Sequence, residues 1–536
     1  MAATKQPGLL LNEDCNHFVY SRSPDEMTAE GVDALVDSYM TGTQVRDLIF
    51  NVNGMRSSVE SRVKQTFWDG FDPEADNNQP YFAGVSEGRD TIRKWVGNML
   101  LLHQQRIDPY ARWLARSRKL GAAAWLSMRM NDIHCVNEPN HVMHDRIWRE
   151  HPEYWRVTWR EFESPVDRTL NWGEPAVRDY NLAYAREVIG RYDFDGFELD
   201  WVRDVWCFRA GEESTELLTE FTAKVRRLLD ARAKEVGHPI RLGARIPSQP
   251  EAARRLGFDA AAWARNRLVD LISPSPGFGG TDLDVPVEVW KDMLHGTAAT
   301  LAPGLEITIA PFPFSGFRLV TIEESRAAAA MLLDRGADRV YLFNYMDRST
   351  EAVGKDFMAN VLTQLGSLDT LADKPRSHVV SYNSTCAPGK AAAFPLPYRC
   401  SRYGYRPSPE FRVPIGPAPL PGQQASVRLG LEITDAPLDQ GRCVTAYGRR
   451  WHFGLPAIDA ALARQLIVRV QGKPCAFHET LPPRPSDNGP THAWRVPAGA
   501  LHRGDNVIEI SNYTETPAAI VWVEIHMGDA EAQHGP

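Results

Sequence analysis

The chain lacks the features that would place it in several large classes. No segment approaches the run of about 18 apolar residues that a membrane-spanning helix needs. The first residues, MAATKQPGLLLNEDCNHF, lack the basic start and the following stretch of about 7 to 15 apolar residues that mark an export signal. No membrane partner is expected, and the expected location is the cytoplasm. Lys and Arg form no blocks, and the net charge is -8 with a pI of about 6.0, so there is no basic footprint for a nucleic acid. Seven cysteines (Cys15, Cys135, Cys207, Cys386, Cys400, Cys443 and Cys475) are scattered without a CxxC pair, which argues against a disulfide framework or a structural zinc site. No G-x-G-x-x-G follows the first predicted strand, which weakens a doubly wound dinucleotide fold. Nothing in these patterns calls for a cofactor.

What is present is an ordinary globular composition, 43% hydrophobic and 24% charged over 536 residues, enough for a large core and more than one domain. Short β-prone runs at 17–20, 48–52, 123–130, 196–201, 241–246, 271–274, 307–310 and 340–343 alternate with segments of three-to-four apolar spacing. Examples are TAEGVDALVDSYM, AVRDYNLAYAREVIGRY and TIEESRAAAAMLLDRG. Eight strand–helix units predict an α/β fold, a (β/α)8 TIM barrel over residues 1–369. Residues 370–425 concentrate Pro and Gly, which predicts a linker or docking segment. Residues 426–536 carry short alternating runs between turn residues, which predicts a β-sandwich accessory domain packed against the barrel. Binding carbohydrate or a second copy of the chain are its other candidate roles.

One stretch raises a question of cost. In RYDFDGFELDWVRD, Glu198 and Asp200 interrupt a run that otherwise reads as a buried strand. Strand period two places them on one face, with Phe197, Leu199 and Trp201 on the other. The apolar face must meet helices, so the acids point into the barrel, with Cα atoms about 6.6 to 7 Å apart. Two such carboxylates need cations or a shared proton, and Arg129, Arg203 and Arg245 fall near strand ends. They could form a layer of ion pairs filling the barrel, or a catalytic pair at its mouth; the second is the expectation carried forward.

Other polar residues fall near the same end. Strand three runs into SMRMNDIHC, leaving Asn131, Asp132 and His134 free to turn over the mouth. With His141, His144 and Asp145 nearby a metal is conceivable, yet the spacing matches no common zinc pattern. Asn53 follows strand two; Asn344 and Tyr345 follow strand eight, where Asn serves equally as a helix cap or a ligand contact. Trp68, Trp172, Trp201 and Trp206 could offer indole platforms to sugar rings. Glu306 precedes the predicted seventh strand, which places it toward the wrong end of the barrel.

YDFDGFELDWVR, with RMNDIH, HPEYW, NWGEPAVRDY, RLGARIPSQPEAARRLGFD and GADRVYLFNY in this order over residues 10–364, resembles the bacterial glycosyl-hydrolase-like TIM-barrel proteins. The resemblance implies a (β/α)8 barrel that acts on carbohydrate. The strand-four run is also similar to the D-x-x-D-x-D-x-E strand of chitinase-type barrels, with acids at Asp195, Glu198 and Asp200; the catalytic acid of that motif falls on Val202, which removes that mechanism. GFELD looks like the GFRxD strand of α-amylase-type barrels, whose nucleophile falls on Asp200, with Glu198 in place of Arg. The function expected is glycoside hydrolysis, with Asp200 as nucleophile or base and Glu198 as charge partner or acid. Asp132 is the alternative acid. Arg129, Asn131, His134, Trp201, Arg203, Arg245, Asn53, Asn344 and Tyr345 would bind the sugar. A carbohydrate lyase with a His134 base and a non-catalytic sugar-binding barrel are the rivals.

Overall fold

A computed structural model of the chain describes residues 7–530 apart from 278–279, 313–314, 316, 384, 391–393, 401–407, 434–441, 447–448, 454–455 and 485–488. Its centre is a parallel sheet of nine strands: β1 (Leu9–Glu13), β2 (Val45–Asn51), β3 (Ala123–Arg129), β4 (Gly196–Asp200), β5 (Arg241–Pro247), β6 (Leu271–Ser275), β7 (Thr300–Leu301), β8 (Gly304–Glu306) and β11 (Val340–Phe343). A short antiparallel pair, β9 (Thr308–Ile309) and β10 (Arg318–Leu319), stands apart. The order is β7-β6-β5-β4-β3-β2-β1-β11-β8. The two edge strands are pieces of one segment, residues 300–306. Ala302 donates its N–H to the Ile272 carbonyl of β6, and the Pro303 carbonyl accepts from Tyr341 of β11, both at 3.0 Å. Pro303 has no N–H to give, which is where the ladder breaks.

Helices follow the strands. Ala29–Met40, Pro175–Arg191, Thr215–Val236 and Ile322–Asp334 occupy the predicted segments. The last begins with a capping box, Thr321 and Glu324 each accepting from the other's backbone N–H. Two predicted strands moved. Residues 17–20 belong to the helix His17–Ser21, and the first strand is the earlier LLLNE. Residues 307–310 lie beyond the sheet strand, so Glu306 ends β8 instead of preceding a strand. Phe, Val and Tyr suit strands by residue type, but propensity over four residues yields to tertiary packing.

Inside the sheet the floor is closed by Trp125. Its indole N–H donates to Asp47 at 2.9 Å, Arg241 also donates to Asp47 at 2.9 Å, and Arg339 pairs with the same carboxylate. Gly196 and Gly243 leave room for this ring; a Cβ on Gly196 would lie 2.2 Å from it. On the outer face Phe197, Leu199 and Trp201 are fully buried in one cluster with Phe221, Val225 and Leu229 of a covering helix.

The segment 370–425, expected as a linker or docking segment, contains strands β12 (Arg376–Val379), β13 (Tyr398–Cys400) and β14 (Glu410–Pro414). Parts of it, 384, 391–393 and 401–407, lie outside the described residues. β12 and β13 pair with Ala518–Ala530, and β14 with Asp505–Ser511, within two larger antiparallel sheets. Val427, Leu429 and Ile525 of one sheet and Val413, Val468 and Ile508 of the other share one apolar cluster. These layers sit against the helix Ile322–Asp334, where Glu324 accepts from both Arg318 and Arg484. Among the described residues no helix is long and apolar enough to cross a membrane.

Candidate active site at the C-terminal strand ends

Glu198 and Asp200 face the sheet interior as their period requires. Register sets Glu198 beside Ser127 and Gly243, and Asp200 beside Arg129 and Arg245. Glu198 Oε1 accepts from Ser127 at 2.8 Å and Tyr341 at 2.9 Å. Asp200 Oδ1 accepts from Arg245 and from the Val202 N–H, both at 3.0 Å. The expectation of an open, water-reachable pair is not met: both acids are 0% exposed and Arg245 is 2% exposed. Burial, and then the Asp200 charge, push the Glu198 carboxyl above the ordinary carboxylate range. Glu198 Oε2, Asp200 Oδ2, Asn12 Nδ2, Asn51 Nδ2 and Ser273 Oγ, all buried, have no hydrogen-bond partner among the described residues. The layer above Trp125 is therefore polar, and the strand-four pair belongs to it.

Above that layer the loops bring together a connected group. Asp14, just past β1, pairs with Arg129; Arg129 lies 3.5 Å from Asp132, and Arg203 3.8 Å from the same carboxylate. His134 Nδ1 meets Asp132 Oδ1 at 2.5 Å, and Arg203 donates to His134 Nε2 at 3.0 Å. With an Arg donor on Nε2, that nitrogen is the acceptor and Nδ1 carries the proton. Burial would raise Asp132, but His134, Arg203 and Arg129 outweigh it and hold the carboxyl well below its usual range. Asp132, whose side chain is 1% exposed, lines a narrow recess with Lys64, Arg129, Asn131 and Trp148, and the His134 side chain is 41% exposed. Asp14 is half-buried, with its carboxyl lowered to about 2: burial raises it, and Arg129 and Arg203 more than offset that. Asp14 was not singled out from the sequence, although an acid directly after an apolar run is the signal of a strand tip.

Glu306 was expected toward the opposite end of the barrel, before a strand, whereas it ends one. As the last residue of β8 it stands level with Phe343 of β11, at the same end as Asp200. It is half-buried; Asn344 Nδ2 donates to its Oε1 at 2.9 Å, as does its neighbour's N–H, Ile307, at 2.9 Å. Asn344 holds this pose with a φ of 62°, a left-handed conformation that Asn tolerates. Burial raises the Glu306 carboxyl against the opposing influence of Asn344 and Arg245. The rim thus carries one carboxyl biased toward its acid and another toward its anion, with Arg203 acting electrostatically on both.

Other expected ligand contacts are structural. Trp201 is fully buried edge-to-face on Trp172, 4.7 Å between centroids, so neither indole is a sugar platform. Tyr345 is fully buried, stacked on Phe357, its hydroxyl 3.1 Å from that of Ser325. Asn53 clamps two strand ends, donating to the Arg129 carbonyl at 3.0 Å and accepting from its N–H at 3.1 Å. Asn131 holds the Leu170 backbone in the same way, accepting its N–H at 3.1 Å. Of the nearby histidines, His144 is pinned between the Pro139 and His134 carbonyls and packs 4.0 Å from Trp148. Among the described residues no three His, Cys, Asp or Glu side chains gather as metal ligands.

Asp204, 8% exposed, carries a separate cost. Burial raises its carboxyl to about 7, while the Trp206 N–H bond and Arg156 oppose the shift. A folded value above the unfolded one means that ionisation destabilises the fold as pH rises from about 4 to about 7. Asp204→Asn removes that charge and retains the oxygen that accepts from Trp206. It is expected to raise stability at pH 8 by up to about 4 kcal/mol, from roughly three units at 1.36 kcal/mol each. The gain fades at pH 4; urea unfolding at both pH values checks it.

No family model matches the chain, and no curated protein matches its sequence. Solved structures align loosely. A cycloisomaltooligosaccharide glucanotransferase of a Paenibacillus species covers 97% of this chain and 57% of its own, at 8% identity and a TM-score of 0.33. A multi-modular chitinase of Paenibacillus sp. covers 96% and 56% at 11% identity and 0.39, and an Anoxybacillus alpha-amylase 96% and 100% at 10% identity and 0.37. The chain spans little more than half the length of the first two. Alignments this loose transfer no activity to this chain.

Proposed function

We propose that the parallel sheet is a (β/α)8 barrel and that the protein is a glycoside hydrolase, with Glu306 as general acid and Asp132 as the ionised carboxylate that attacks the sugar or activates water. The observation that carries the reading is the opposed bias of these two carboxyls at one end of the sheet. Glycoside cleavage needs this pair: one group protonates the leaving oxygen while the other supplies electrons to the anomeric carbon. Asn344 holds Glu306, and Arg129 with Arg203 holds Asp132 ionised. Asp200 and Glu198 are assigned to the buried charge layer beneath, where Arg245 is neutralised. The resemblance of the strand-four and strand-three motifs to carbohydrate-active barrels supports the substrate class.

The His134–Asp132 contact favours one second reading, a sugar lyase with a histidine base oriented by an aspartate. Against it, Arg203 occupies the His134 lone pair. A panel of aryl glycosides of several configurations, run with wild type, Asp132→Asn and His134→Gln, separates the two. Hydrolysis lost in Asp132→Asn and kept in His134→Gln supports the hydrolase. Release of unsaturated sugar, abolished by His134→Gln, supports the lyase.

A further inference from the structure

Outside the acid cluster, the loops after β2 and β3 and the start of the helix Pro175–Arg191 form a second, open recess of about 500 Å³, lined among others by Arg62, Lys64, Arg146, His151, Tyr154 and Tyr180. Lys64 is the unusual member. Its side chain is 6% exposed, and its Nζ has no hydrogen-bond acceptor within 3.5 Å among the described residues; the nearest carboxylate oxygen, Asp145 Oδ2, is 4.0 Å away. That oxygen already accepts from Tyr180, and Asp145 Oδ1 accepts from the N–H groups of Gln65 at 3.1 Å and Arg146 at 2.7 Å. The ammonium rests on ring faces instead, 4.7 Å from the Tyr180 centroid and 5.3 Å from that of Tyr184. Ring faces offset part of the desolvation of a cation but use none of its three N–H donors.

The same residue lines the Asp132 recess, together with Ile147, so it stands where the two spaces meet. On the outer side His151 and Tyr154 stack at 4.8 Å and 16° and form an aromatic wall. Exposed Arg62 and Arg146 flank it, with Asp69 and Glu150 as the acids of the rim. An oxygen anion delivered to Lys64 would supply the acceptor that the fold does not, and the apolar C–H face of a sugar ring beside it would find the wall.

We propose that this recess binds the carboxylate of an acidic sugar, with Lys64 as its ion partner and His151–Tyr154 as the ring platform. This names the substrate class of the hydrolase proposed above and rests on that reading for its purpose; the binding itself requires no turnover. The test is calorimetric titration of the full chain with sodium glucuronate, glucose and inorganic phosphate. Glucuronate should bind at least tenfold more tightly than the other two. Lys64→Met should weaken glucuronate at least tenfold. Arg146→Gln, at an exposed position that folding tolerates, should weaken it several-fold. Equal binding of glucose, equal binding of phosphate, or wild-type affinity in a folded Lys64→Met protein would each overturn the proposal. Hydrolysis of no glycoside, with glucuronate binding intact, would remove the enzymatic reading and leave this site standing.

Discussion

Glu306→Gln is expected to lower the hydrolysis of an alkyl or sugar glycoside by roughly 10²- to 10⁴-fold, the usual contribution of a positioned general acid. The isosteric amide keeps an oxygen to accept from Asn344 and Ile307, so the rim should retain its shape. Only the transferable proton is removed. Aryl glycosides with good leaving groups need less proton donation and should lose far less rate, and their ratio to alkyl substrates is the readout. A variant that loses both substrate types equally would assign Glu306 to binding.

Asp200→Asn should act on the fold. Asp200 and Arg245 are 0% and 2% exposed and meet at 3.0 Å, so the amide leaves a buried guanidinium without its counter-charge. Breaking one side of such a pair costs about 3–5 kcal/mol, whereas removing both charges is close to neutral. Urea unfolding should show the single variant shifted by that amount and Asp200→Asn/Arg245→Met recovering most of it. Full stability in Asp200→Asn with activity abolished would return Asp200 to the chemistry and undo its assignment to the charge layer.

Much of this is legible in the sequence. The alternation of short apolar runs with amphipathic segments located six of the eight predicted strands, and period two correctly turned Glu198 and Asp200 inward. Facing inward is a local property; being reachable is not. The counter-charge was legible, since Arg245 was expected near the pair and meets Asp200 at 3.0 Å, but whether an inward acid meets water depends on the loops folded over it. The misplacement of Glu306 has a narrower cause. Residues 300–306 hand their hydrogen bonds from β6 to β11 around Pro303, so the strand reads as two fragments too short to register. Trp201, expected as a sugar platform, and Tyr345, expected as a ligand contact at a strand tip, are both fully buried, and for Trp201 the alternation that turns the acids inward already turns the indole to the helices. Lys64 carried no sequence signal, because its partners Tyr180 and Tyr184 are more than a hundred residues away and meet it only in the fold.

The central claim is that Glu306 delivers the proton while Asp132 stays ionised. The pH dependence of kcat/KM, measured for wild type and Glu306→Gln on an aryl glycoside with a good leaving group, tests it most directly. The account predicts a bell for wild type and loss of the descending alkaline limb in the variant, because that limb reports deprotonation of the acid. An unchanged alkaline limb in Glu306→Gln would contradict it.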